Sequence, residues 1–439
     1  MKATSSVAAA NFIGYNQVDQ KSTTCGACHT DPQNEWQGTR HARAWATLDS
    51  LPDGQAQEFC FECHTISARG NAATDPNVAY TSTKDMRYSD VQCESCHGAG
   101  LEHIDNPGAT QPLPTLKAGA DLTDGCGECH NGEHHPFVEE WERSGHGTMT
   151  AWSPTGPQTN PSCQGCHTGQ GALGAMGVDA GSNYLEKGKV ATDPLKITCG
   201  ICHDPHNATN PRQLRLRIDI ADEKQNLCMS CHHKRGEPDL GTGNTTTRGA
   251  HSPEGPMLLG EAGWWPPGMP TGGLDKIVST HGTGANPRLC AGCHVEQYEV
   301  TDKETGAFKL NVVGHHFTAI PCVDANGIPV STDCGTDLTK RRFTACATSG
   351  CHASQDQARS AFVTATNRIV NLNNQLKALL AKVPKGEESS TDNRFTVAEG
   401  SRFNTTLADK RGSQVHNPFL MEALLVGSID AVKLTYNVQ

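Results

Sequence analysis

The sequence is poor in the residues that fill protein interiors. Leu, Ile, Val and Phe number 73 of 439, about 17%, below the roughly 20% at which a chain struggles to build a hydrophobic core. Aromatic residues make up 5%, and no stretch reaches the ~18 apolar residues of a transmembrane helix. A strong excess of one charge is missing too, with 36 Lys and Arg against 47 Asp and Glu, a formal charge of -11. Disorder combines low hydrophobicity with high net charge, so disorder does not explain the shortage of aliphatic side chains. The mild acidity also excludes nucleic-acid binding, which needs a basic surface facing the phosphates. What stands in their place is 20 Cys and 21 His.

Eight times the chain reads Cys-x-x-Cys-His: Cys25, Cys28 and His29; Cys60, Cys63 and His64; Cys93, Cys96 and His97; Cys126, Cys129 and His130; Cys163, Cys166 and His167; Cys199, Cys202 and His203; Cys228, Cys231 and His232; Cys290, Cys293 and His294. This is the c-type haem attachment motif. Two thiols bond the two vinyl-derived carbons of one porphyrin, and the His that follows reaches its iron. A ninth segment, Cys346, Cys351 and His352, places four residues between the Cys. It resembles the wider motif of tetrahaem cytochromes of the c3 type. A zinc site or redox pair could explain one copy, but zinc needs four ligands from paired clusters and gives no reason for a His after every second Cys. The cofactors expected are therefore nine c-type haems, and the interior is expected to be made largely of them, leaving a haem-free chain mostly unfolded.

Two Cys remain, Cys322 and Cys334. With eleven residues between them around Asp324-Ala325-Asn326-Gly327, they suit a disulfide contributing about 2–4 kcal/mol; two free thiols are the alternative. Twelve His lie outside the motifs. His134 and His135, and His315 and His316, are adjacent pairs expected to give one ligand each, and His233 directly follows a motif His. That leaves nine distal positions for nine irons, drawn from His41, His103, His134 or His135, His146, His206, His251, His281, His315 or His316, and His416. Methionine, the competing ligand, would raise the potential, but none of the eight Met sits in a recurring context. Bis-His haems of low potential are expected. His416, just ahead of Asn417-Pro418, is expected to serve the ninth motif.

Successive motifs begin at Cys25, Cys60, Cys93, Cys126, Cys163, Cys199, Cys228, Cys290 and Cys346, nearly evenly spaced through the seventh and farther apart after it. Glu35-Trp36 precede His41 as Glu140-Trp141 precede His146. Val91 stands two residues before Cys93 as Ile197 does before Cys199, and His103 and His206 follow. Such repetition marks internal modules. The expected organisation is a three-haem module at 1–110, a second at 111–215, a haem-binding segment with the Cys322/Cys334 loop at 216–352, and a helical region at 353–439 that supplies a distal ligand. Gly and Pro, 45 and 24 in number, predict a loop-rich multihaem fold of short α-helices around a haem chain, with little β structure. Longer helices are expected only near the C-terminus. Ala358, Phe362, Ala365, Ile369, Leu372, Leu376, Leu379 and Val383 recur at helical spacing up to Pro384, and further helices are expected over 395–409 and 417–434.

Val91-Gln92-Cys93-Glu94-Ser95-Cys96-His97-Gly98-Ala99-Gly100, with His103 following, resembles the tetrahaem cytochromes that accept electrons from hydroxylamine oxidoreductase. That resemblance covers the first third and implies distal roles for His41 and His103, and an open iron at the second motif if any is open. The stretches 198–206, 251–253, 342–352 and 415–418 resemble large outer-surface cytochromes of metal-reducing bacteria, some of which polymerise into filaments. The resemblance implies an exported electron-transfer protein, extracellular or at the outer surface, with the periplasm as second choice. Its partners would be other cytochromes, external electron acceptors or further copies in a homopolymer. Residues 1–10 lack the apolar segment of an export signal, which is expected to have been removed before residue 1. The competing reading is a multihaem oxidoreductase with one open iron. All nine motifs end in His and the supply of distal His suffices for every iron, so a conduit without catalytic residues is the expectation.

Overall fold

In the computed structural model the described residues are 11–52, 57–112, 125–148, 161–178, 196–238, 249–269, 276–331, 333–348, 350–388 and 395–439. The chain divides into two compact units, one of residues 1–217 with 297–317, the other of residues 218–296 with 318–439. Short helices and loops dominate, as the Gly and Pro content predicts, and the described strands form two two-stranded sheets.

Motif after motif folds as a single tight turn. The amide of the motif His donates to the carbonyl of its first Cys: His29 to Cys25 at 2.8 Å, His130 to Cys126 at 2.9 Å, His203 to Cys199 at 2.9 Å and His232 to Cys228 at 3.0 Å. The ninth motif closes the same bond across its two extra residues, His352 to Cys346 at 3.1 Å. The wider spacing is therefore a bulged version of the same turn. The sulfurs of Cys322 and Cys334 stand 2.06 Å apart.

In the first unit, β1 (Tyr15–Gln17) pairs with β2 (Ser22–Thr23), ahead of α1 (Thr30–Gln37); α2 (Phe137–Glu142) follows the fourth motif. The two helices are used alike. The Trp36 indole donates to the carbonyl of Val91 at 3.0 Å, and the Trp141 indole to that of Ile197 at 2.8 Å. Thr39 Oγ1 then accepts from the Ala42 amide at 3.3 Å, and Ser144 Oγ from the Gly147 amide at 3.1 Å. Each Trp thus ties the segment bearing a non-motif His, His41 or His146, to the backbone entering a later motif. Glu35 is exposed whereas Glu140 is buried, so only the Trp of the repeated dipeptide has one role in both copies. A hairpin of β3 (Tyr298–Thr301) and β4 (Phe308–Val312) completes the unit. Asp302 Oδ1 accepts from the amides of Glu304 and Thr305, both at 2.9 Å, to form its turn.

The second unit departs from the expectation of an interior built of cofactor. It contains α3 (Glu254–Leu259), α4 (Gln355–Leu380), α5 (Val397–Ala408), α6 (Ser413–His416) and α7 (Pro418–Tyr436). Leu376, Leu379, Leu407, Leu420, Leu424 and Val432 join one buried aliphatic cluster. The composition average hid it: 23 of the 73 Leu, Ile, Val and Phe fall after residue 352, in one fifth of the chain. The caps are those that such sequences dictate. Ser354 Oγ accepts from the Gln357 amide at 3.1 Å, Thr396 and Glu399 exchange hydrogen bonds at 3.1 and 2.9 Å, and Asn417 Oδ1 accepts from the Leu420 amide at 3.0 Å. Helix α4 stops at Leu380, ahead of Val383, because Pro384 disfavours helical backbone in the residue before it.

Candidate functional site

Two imidazoles that bind one metal through Nε2 from opposite sides, with bonds of about 2 Å, have ring centroids about 6.3 Å apart. Among the described residues these six pairs have this spacing, and each joins one motif His to one His outside the motifs. In the first unit these are His29 with His103, His41 with His130 and His97 with His206, all at 6.2 Å, and His203 with His315 at 6.3 Å. In the second they are His294 with His416 at 6.2 Å and His281 with His352 at 6.4 Å. Nothing in the choice of these residues from sequence required the one-to-one matching.

A ligating His commonly donates its other ring N–H to a carbonyl, which fixes the ring and raises its basicity. Nδ1 of His97 donates to Pro112 at 2.8 Å, of His103 to Thr110 at 2.6 Å, of His203 to Arg212 at 2.9 Å, of His281 to Val415 at 2.7 Å and of His315 to Val313 at 3.2 Å. In every case Nε2 is left for the facing ring. Burial, reinforced by neighbouring imidazoles, lowers the pKa of His41, His315 and His416 to about 4 and of His130 to about 3. They are held neutral, the form that binds metal.

One expectation is corrected. His416 faces His294 of the eighth motif rather than His352 of the ninth, and His281 takes that place. The reason is local: the turn of α6 carries the Val415 carbonyl that accepts from His281, so one segment presents His416 to one motif and orients His281 towards the other. Of the adjacent pairs, His315 faces His203, with His316 half-buried beside it. His134 stacks flat on Phe308 at 4.7 Å, and His135 meets His130 edge-on at 6.5 Å. His146 packs on Phe317 at 4.8 Å, and His251 is half-buried just ahead of α3. His64 donates through Nδ1 to Ala44 at 2.9 Å, and among the described residues no ring pair includes it.

Glu140 is the residue that sequence reasoning passed over. Its carboxylate accepts from the amides of Val313 at 2.9 Å and His315 at 2.6 Å, pinning the end of β4 so that His315 faces His203. Burial raises its pKa while those amides oppose the rise. A second tie joins three motifs. Arg69 Nη1 donates to the Glu128 carbonyl at 3.1 Å, the Gly70 amide donates to the Glu128 carboxylate, and Asn71 Nδ2 donates to the Ser95 carbonyl at 3.3 Å. Gly70 has φ +84°, and a Cβ there would lie 2.6 Å from the Ser95 oxygen. Gly70→Ala is therefore expected to cost about 1–3 kcal/mol, read as a lower melting temperature of the haem-loaded protein with no change at the second unit's haems.

The thiol pairs and the facing imidazoles together are the donor set that c-type haem requires: two sulfurs and one nitrogen on one segment, and a second nitrogen across the iron. Residues 24–98 match the family described as cytochrome c554 and c-prime, and residues 193–237 match a doubled CXXCH motif. The chain is similar to the C-type polyheme cytochrome OmcC of Geobacter sulfurreducens, 25% identical over 328 residues, which are 65% of this chain and 39% of that protein. Its relatives are multihaem c-type cytochromes. OmcB of the same species is 23% identical over 324 residues, covering 65% of this chain and 38% of OmcB. Cytochrome c-554 of Nitrosomonas europaea is 28% identical over 122 residues, 28% of this chain and 44% of that protein. The chain thus spans about two fifths of the length of the first two relatives. No solved structure matches it. These relatives support electron transfer, and no described helix is long and apolar enough to cross a membrane.

Proposed function

We propose that the protein is an electron conduit that binds nine c-type haems through its nine motifs, exported to the outer surface and exchanging electrons with other cytochromes or external acceptors. The observation that supports this most directly is the set of six facing imidazole pairs at 6.2–6.4 Å. A haem with two imidazole ligands supplies one-electron exchange at low potential and leaves no position for a substrate. The chain's part is to fix each ring by its Nδ1–H bond, keep it neutral by burial, and hold neighbouring motifs at a set distance.

One observation favours a second reading at a single position. His135 lies within electrostatic reach of His64, but its ring meets His130, so the second motif is the place for an open iron and oxidoreductase chemistry. A pyridine haemochrome assay with intact mass should give nine covalent haems; eight would mean that Cys346 and Cys351 are not used. Carbon monoxide binding to the reduced protein separates the two readings, since a protein with nine bis-His haems binds none and an open second site binds one. Negative-stain images of the purified protein distinguish a homopolymeric filament from a discrete cytochrome.

A further inference from the structure

Resting on the haem assignment above, we propose that the haem of the fourth motif is a three-way junction in the first unit, in edge contact with the haems of the second, third and sixth motifs. The loop after the second motif grips both of its neighbours. Arg69 and Gly70 bind Glu128, which lies between Cys126 and Cys129, and Asn71 binds Ser95, which lies between Cys93 and Cys96. Gly70 is required for that approach, since any side chain would collide with the Ser95 carbonyl. Motifs two, three and four are therefore packed backbone to backbone.

The thiols repeat the pattern. Cys63 lies close to Cys129 and Cys126 to Cys199, and Cys96 is near both Cys126 and Cys129. In a thioether each sulfur is two bonds from the macrocycle edge, so sulfurs in contact bring two macrocycle edges together. The contact of Cys126 with Cys199 joins first Cys to first Cys, as Cys25 joins Cys93 and, in the second unit, Cys228 joins Cys290. This is one packing unit used three times. The fourth motif differs because its two thiols approach three other motifs, Cys126 the sixth and third and Cys129 the second and third.

The imidazoles carry the same geometry on the opposite side. His41, which faces His130, is close enough to feel His64, His203 and His206. These face or belong to the second, sixth and third motifs. Phe137 fills the space between the fourth and sixth, 5.4 Å from His130 and 4.9 Å from His315. Thiols and imidazoles thus converge on the same three neighbours, and the Arg69–Asn71 loop holds two of them, the second and third motifs, against the fourth.

Low-temperature EPR of the oxidised, haem-loaded protein tests the junction. His41→Gly and His103→Gly should each turn one haem high-spin, and a fast-relaxing high-spin iron broadens the low-spin signals nearest to it. The expected result is three broadened signals for His41→Gly and a single one for His103→Gly. Equal numbers in the two variants overturn the junction. Should His41→Gly fail to accumulate, a cryo-EM map of the unaltered protein gives the same decision: the fourth macrocycle must have the second, third and sixth as its nearest neighbours, and a different macrocycle in any of those places overturns it. A failure of the haem assignment itself would register earlier, as a haem count or a low-spin spectrum of the unaltered protein that does not fit nine sites.

Discussion

Replacing His416 by Gly will convert one low-spin haem to high spin, and that haem will be the one attached at Cys290 and Cys293. The His416 ring stands 6.2 Å from His294 and is half-buried, with its pKa lowered to about 4 by desolvation. Losing it removes the ring that faces His294 and opens one coordination position there. Gly keeps the backbone that matters to the neighbouring site. The Val415 carbonyl still accepts from His281, and the carbonyl of residue 416 still accepts from Ser279 Oγ at 3.1 Å. The ninth haem should therefore stay low-spin, and the reduced variant should bind one more carbon monoxide than the unaltered protein. His281→Gly should open the ninth haem instead, and the double variant two. If the His416→Gly spectrum equals that of the unaltered protein, the pairing with His294 is wrong.

The haem-free chain is expected to come apart unevenly. Structural metals commonly supply the folding free energy of the segments that bind them, and the described residues of the first unit form only small apolar groups to set beside its haems, such as that of Phe12, Ile66, Val78, Tyr80 and Tyr88. The second unit has α4, α5 and α7, whose Leu376, Leu407, Leu420 and Leu424 are fully buried. Each buried Leu is worth about 1.5–3 kcal/mol relative to exposure. Full-length protein made without haem attachment should thus keep a helical far-ultraviolet signal that melts cooperatively, while amides of the first unit exchange as in an unfolded chain. Leu424→Ala should lower the stability of the residual helical core by about 2–5 kcal/mol. A coil spectrum throughout, or protection of the first unit, would contradict this division.

The covalent chemistry of this protein was legible because it is local. Five consecutive residues place two thiols and an imidazole on one turn, and no tertiary information is needed to recognise it. Helix α7 was legible for the same reason: Asn417 and Pro418 start it and a dense apolar run sustains it. Which imidazole faces which motif His was legible only as a set of candidates. His281 and His416 lie far apart in the chain, on either side of His352, and which of them meets that ring depends on a carbonyl that neither the spacing nor the residue types reveal. The β3–β4 hairpin was missed although Tyr298 to Thr301 and Phe308 to Val312 flank an Asp302 turn, because each strand is short beside the Gly-rich background. The C-terminal core was hidden by averaging, since the low aliphatic content of the whole chain conceals a much denser final fifth.

The six facing imidazole pairs also set the problem that folding has to solve. All of them join residues distant in sequence, with His281 and His352 the least separated and His294 and His416 the most. Chain entropy barely distinguishes them, because closure cost grows only as the logarithm of loop length, about 0.6 kcal/mol per doubling. An iron awaiting its distant ligand therefore meets many imidazoles at similar entropic cost, and adjacent candidates such as His134 and His135, or His315 and His316, compete at once. Correct pairing has to come from the surrounding hydrogen bonds that admit one ring and turn away the next. Refolding of the haem-loaded chain is accordingly expected to be a sorting process, in which misligated states act as kinetic traps and exchange of one imidazole for another, rather than collapse, sets the pace.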